Sequence, residues 1–115
     1  MAQYQKKFKG DYNKFTEYIE YEVQQRSFTS SFEGKMITSM ADVKCTVLVF
    51  ERYSQLGKNR VSLNVTILGH GDEIEVMATT AGGSQAVLFK VNTWGEENYL
   101  SYFEFIVNQY LQKNP

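Results

Sequence analysis

The chain has 115 residues, of which 43% are hydrophobic and 22% charged, a composition typical of one globular domain spanning 1–115. Twelve basic residues face thirteen acidic ones, and this balance argues against a nucleic-acid-binding protein, which needs excess Lys and Arg for phosphate contacts. No apolar run is long enough to span a membrane, and one cysteine allows no internal disulfide, so we expect a soluble cytoplasmic protein with no metal and no cofactor.

The first elements are an edge strand and an amphipathic helix. Residues 3–9 mix aromatic and polar side chains and predict a short strand. Asp11 is a good N-cap for a helix over 11–26. Its apolar face is indicated by helical spacing of Tyr12, Phe15, Ile19 and Val23.

Two weak strand signals follow the first helix. Residues 29–32 predict a short strand, and Gly34-Lys35 predicts a turn. Residues 36–40 fit either a second short strand or an irregular crossing.

Three stronger strands come next, over 43–53, 60–68 and 74–78. Gly69-His70-Gly71-Asp72 is typical of a hairpin connection between the last two. In the first of them, side chains alternate between two apolar sets. We assign Val43, Cys45, Val47 and Val49 to the face that meets the helices, which leaves Leu48 and Phe50 on the free face.

The segment from residue 79 to residue 97 predicts a turn, a strand and a helix start. Gly82-Gly83 favours a tight turn. The side chains of residues 86–92 alternate between two faces, which predicts the last strand of the sheet. Thr93 and Glu96 match a capping box, which would begin a second helix that ends near residue 112. We expect Trp94 to anchor this helix on the sheet.

These elements predict an α+β fold in two layers. One antiparallel sheet of about five to six strands is covered on one face by two helices, in the order β-α-β(4-5)-α. This element order is similar to that of TATA-binding-protein-like and helix-grip folds.

Two segments resemble a known family. Residues 42–66 run from Asp-Val-Lys-Cys-Thr-Val through Asn-Arg-Val-Ser-Leu-Asn-Val-Thr, and 82–96 contain Gly-Gly-Ser-Gln-Ala and Phe-Lys-Val-Asn-Thr-Trp-Gly-Glu. Together they resemble a family of small uncharacterised proteins from Gram-positive bacteria, classed as a domain of unknown function. The resemblance implies an intracellular bacterial protein and implies no activity.

Polar side chains on and beside the strands are the candidate binding residues. A ladder of charges across strands explains most of them, and the alternative is a patch that recognises a carboxylate or a partner. Ser84 and Gln85 follow the glycine pair, where a hairpin turn is favoured over an anion-binding loop. The candidates for ligand or partner binding are Arg52, Arg60, Asn64, Ser84, Gln85 and Lys90.

His70 and Cys45 carry little chemistry. His70 lies between two glycines, without a second His or a Cys nearby to make a zinc site, and we expect a solvated turn residue. Cys45 lies on an apolar strand face, and we expect a small buried side chain rather than a nucleophile.

Two functions remain open. The first is a non-enzymatic domain that associates with itself, as a dimer, through the free sheet face or an edge strand; Leu48, Phe50 and Met77 are the interface candidates. The second is a small-molecule-binding protein or enzyme with a cavity between sheet and helices, lined by Tyr and Phe. Neither predicts a nucleic-acid or membrane partner.

Overall fold

The computed structural model describes residues 1–26, 30–54, 59–82 and 89–114, and it describes side chains at all of these except 54, 59 and 89–94. Seven elements follow one another along the chain: β1 (Ala2–Lys9), α1 (Tyr12–Gln25), β2 (Ser30–Met40), β3 (Val43–Ser54), β4 (Asn59–His70), β5 (Glu73–Gly82) and α2 (Phe89–Lys113).

The five strands form one antiparallel sheet in the order β1-β5-β4-β3-β2. Strands β2 to β5 are a meander of neighbours, and β1 pairs with β5 at the far edge. The predicted α+β class and the element order β-α-β-β-β-β-α are confirmed.

Helix α1 begins as the sequence predicts. The Asp11 carboxylate accepts a 2.9 Å hydrogen bond from the Lys14 amide, which partners one of the free N–H groups of the first turn. The predicted apolar stripe is buried: Phe15, Ile19 and Val23 are wholly enclosed.

Both helices lie on one face of the sheet, and the core lies between them. Phe15 of α1 and Tyr99 and Phe103 of α2 are wholly buried there. The helices are joined by tyrosine hydroxyls: Tyr18 donates to the Ile106 carbonyl at 3.2 Å and Tyr102 to the Val23 carbonyl at 3.0 Å.

The face assignment for β3 is wrong. Leu48 and Phe50 lie opposite Val65 and Leu63 of β4 on the covered face, and both are 0% exposed. Cys45, Val47 and Val49 therefore lie on the other face, where they are half-buried. Leu48 and Phe50 belong to the core and are withdrawn as interface candidates.

The turn predicted at Gly34-Lys35 is also wrong. Strand β2 is continuous for 11 residues, and its pairing with β3 shifts between Phe32 and Gly34. Such a β-bulge accommodates the glycine without ending the strand.

The strand predicted over 86–92 is wrong where it can be compared, because residues 89–92 are the first turn of α2; 83–88 lie outside the described residues. The helix propensities of Phe and Val are less favourable than that of Ala by roughly a few tenths of a kcal/mol. Tertiary context therefore decides whether such residues form a helix or a strand.

Glu96 consequently lies inside α2 and is not part of a capping box. Its buried carboxylate accepts a 2.7 Å hydrogen bond from the Gly82 amide and also contacts the amino group of Met1. The Glu96 carbonyl accepts from the Thr80 hydroxyl at 3.0 Å. This residue fastens α2 to the end of β5. The backbone of Trp94 lies in α2, and its proposed anchoring side chain falls outside the described ones.

Candidate interaction surface

The sheet face away from the helices has an apolar centre. Cross-strand partners Met36, Val47, Thr66 and Met77 form one row across β2 to β5, and Leu68 lies in the next row. Met77 keeps its predicted place on this face. All but Met36 are half-buried by neighbouring side chains alone, since no described helix covers them.

Charges lie around this centre rather than in it. Arg60 and Glu51 form a 3.0 Å ion pair at one end of the face, and Lys7 lies opposite Glu75 at the other. An uncharged middle with a charged rim is the pattern of protein–protein interfaces.

The most exposed apolar side chains of the sheet belong to β2. Met36, Ile37 and Met40 are 70%, 66% and 82% exposed. Strand β2 is an edge strand that pairs with β3 alone, so its outer N–H and C=O groups have no strand partner within the described residues. Long apolar edges of this kind are templates for pairing with another chain.

The opposite edge differs. Strand β1 has eight residues and carries Lys6, Lys7 and Lys9, all exposed. Lysines on an edge oppose strand addition. The single lysine of β2, Lys35, instead forms a 2.8 Å ion pair with Glu20 of α1, so its charge is partly neutralised.

The predicted binding residues are not brought together. Arg52 lies on the covered side, where its guanidinium is 4.5 Å from the Tyr99 ring centroid and donates to the Asn98 side chain at 3.2 Å. Arg60 and Asn64 are exposed on the opposite side. The face assignment for β3 put Arg52 on the free face together with Leu48 and Phe50, and for Arg52 it is wrong as well. Ser84 and Gln85 lie outside the described residues, as does the side chain of Lys90.

Arg52 belongs to an aromatic cluster between α2 and β2 that sequence reasoning missed. Tyr99 and Tyr102 stack with centroids 6.2 Å apart, and the Tyr99 and Ser30 hydroxyls share a 2.7 Å hydrogen bond. Burial raises the pKa of Tyr99 and of Tyr102 to about 12. The i, i+3 spacing of the two tyrosines was the available signal.

This cluster predicts lower stability at high pH. Tyrosine in the unfolded chain has a pKa of about 10. Because the pKa values of Tyr99 and Tyr102 are higher in the folded protein, the unfolded chain loses these protons first as the pH rises. The stabilisation is complete below about pH 10 and is lost as pH rises from about 10 through 12. We expect urea midpoints to fall across that window.

The double variant Tyr99→Phe/Tyr102→Phe is the control for other groups that titrate at the same pH. It should show a shallower fall than the wild type. Equal slopes in the two proteins would mean that these tyrosines are not the cause.

Two residues with possible chemistry lie apart. His70 is exposed, as expected, with its Nδ1 atom 4.0 Å from the Glu73 carboxylate. Cys45 is half-buried on the uncovered face rather than in the core.

Within the described ranges, no three His, Cys, Asp or Glu side chains are grouped so that they could hold a metal ion. The same ranges contain no helix that is long and apolar enough to cross a membrane.

Comparison with known proteins identifies the family of this chain. No curated protein and no solved structure matches the chain. A family model described as "Family of unknown function (DUF6054)" matches residues 1–111. Since the match covers nearly the whole chain, the protein belongs to this family of unknown function.

Proposed function

We propose that the protein is a non-enzymatic interaction domain that forms a two-fold dimer by antiparallel pairing of β2 with β2 of a second copy. The observation that carries the proposal is the open edge of this 11-residue strand, with Met36, Ile37 and Met40 exposed on its two faces. We place the dimer in the cytoplasm of a bacterium, as the single cysteine and the resemblance suggest.

A second copy suits this edge better than an unrelated strand does. Any strand can pair antiparallel with its own copy about a two-fold axis. Dimers with two-fold symmetry are the commonest oligomers. An axis at Thr38 sets Met36 of one copy opposite Met40 of the other. It sets Lys35 opposite Ala41, so like charges do not meet.

The axis also fixes the length of the paired stretch. With the axis at Thr38, residues 36–40 of one β2 pair with residues 40–36 of the other, which forms on the order of five hydrogen bonds. The dimer would be one continuous ten-stranded sheet, twice the five strands of each chain.

Sedimentation at micromolar concentration tests the proposal. We expect a dimer for the wild type and a monomer for Met36→Lys/Met40→Lys, because a dimer would bring all four lysines together at its centre. Met77→Lys, on the uncovered face three strands from the edge, is the matched control and should remain a dimer.

The outcomes separate edge pairing from face packing. A monomeric wild type would refute self-association. Dissociation by Met77→Lys but not by the edge variant would move the interface to the sheet face. Circular dichroism verifies that each variant is folded.

A further inference from the structure

Two methionines make up most of the exposed apolar surface of the β2 edge. Met36 and Met40 are 70% and 82% exposed, whereas Met77, three strands away on the same face, is half-buried. They pair with Val47 and Val43 of β3, so both thioethers lie on the uncovered face of the sheet. Methionine differs from the other aliphatic side chains because a mild oxidant converts it into a polar one.

The proposed dimer places these side chains in two facing pairs. With the two-fold axis at Thr38, Met36 of each copy lies opposite Met40 of the other, and one such pair lies on each side of the axis. Directly opposed residues of antiparallel strands have Cβ atoms about 4.5–5.5 Å apart, so their side chains contact each other. The apolar contact at the centre of the interface is therefore made by thioethers.

We infer that Met36 and Met40 are an oxidation-sensitive modification site that controls dimer formation, an inference that rests on the proposed function. Hydrogen peroxide, the oxidant assigned here, transfers one oxygen atom to the sulfur. The O–O bond breaks, an S–O bond forms, the sulfur loses two electrons and water is released. The sulfoxide is polar and hydrated, so facing another side chain across the strand pair costs it water contacts. Oxidation therefore favours the monomer.

The other sulfur atoms of the chain lie outside this contact. Met1 is 78% exposed, but it lies next to β1 at the opposite edge of the sheet. Cys45 is half-buried on β3, and Met77 is half-buried on β5. Peroxide should therefore reach Met1, Met36 and Met40 before Met77, and of these three only Met36 and Met40 should affect association.

Peroxide treatment of the full chain, with peptide mass spectrometry and sedimentation as readouts, tests the site. Mass spectrometry should find sulfoxide at Met36 and Met40 before Met77, and the dimer dissociation constant should then rise on the order of tenfold or more. Dithiothreitol reduces a disulfide or sulfenic acid at Cys45 but leaves sulfoxides intact, so it should not restore the dimer. Methionine sulfoxide reductases specific for the two sulfoxide epimers should restore it.

Met36→Leu/Met40→Leu is the matched control, since leucine keeps the apolar contact and is not oxidised. It should be a dimer before and after peroxide, although its Met1 is still converted to the sulfoxide. Dissociation of this variant by peroxide would overturn the assignment to Met36 and Met40.

Two further outcomes separate this inference from the dimer on which it rests. A wild type that remains a dimer with Met36 and Met40 fully oxidised would overturn control by oxidation and leave the proposed function intact. A wild type that is monomeric before peroxide is added would refute the dimer itself, and control by oxidation with it.

Discussion

Phe50→Ala should lower the free energy of unfolding by about 3–5 kcal/mol, the range for truncating a buried aromatic side chain. Phe50 is 0% exposed, and its ring centroid is 5.6 Å from that of Phe32. The truncation removes apolar area from the core and leaves a cavity beside Leu63, its cross-strand partner. Urea denaturation followed by circular dichroism measures the loss.

Val49→Ala is the neighbouring control. Val49 is half-buried on the uncovered face, so its truncation should cost less than about 1 kcal/mol. A larger loss for Val49→Ala than for Phe50→Ala would show that the odd-numbered face of β3 is the core after all.

Gly69→Ala is expected to cost about 1–3 kcal/mol, because it inserts a methyl group where there is no room. A Cβ atom at Gly69 would lie 2.5 Å from Cδ2 and 2.8 Å from Cγ of the Tyr12 ring. The ring cannot swing away freely, since its hydroxyl is bonded to Thr46 and Lys44 lies 5.8 Å from its centroid. Thermal and urea unfolding both report the change.

Gly34→Ala distinguishes the close contact from a general effect of glycine in strands. A Cβ atom at Gly34 would meet no atom within 4 Å, so we expect a change within about 0.5 kcal/mol. Equal losses for the two variants would refute the steric explanation.

Strand faces were predictable where only one face is apolar. In β4, Val61, Leu63 and Val65 alternate with polar residues, and all three are buried. In β3 both faces are apolar, so alternation defines two sets without deciding which one is covered. The decision comes from pairing, which sets Phe50 opposite Leu63.

The errors in the candidate site follow from the same ambiguity. Arg52 and Phe50 lie on the same face of β3. Since that face is the covered one, Arg52 contacts α2 and lies on the opposite side of the sheet from Asn64. The long exposed edge of β2 was not predicted from the sequence, because Gly34 predicts a turn and so shortens the expected strand.

The order of the strands has a consequence for the path of folding. Two-residue turns at 41–42 and 71–72 join β2 to β3 and β4 to β5, and such hairpins close at little entropic cost. Ala2 of β1, in contrast, pairs with Thr80, 78 positions along the chain. Because distant contacts form slowly, we expect β1 to join the sheet last. Until β1 pairs, β5 is also an edge strand. The partly folded chain then exposes two apolar sheet edges, at β2 and at β5.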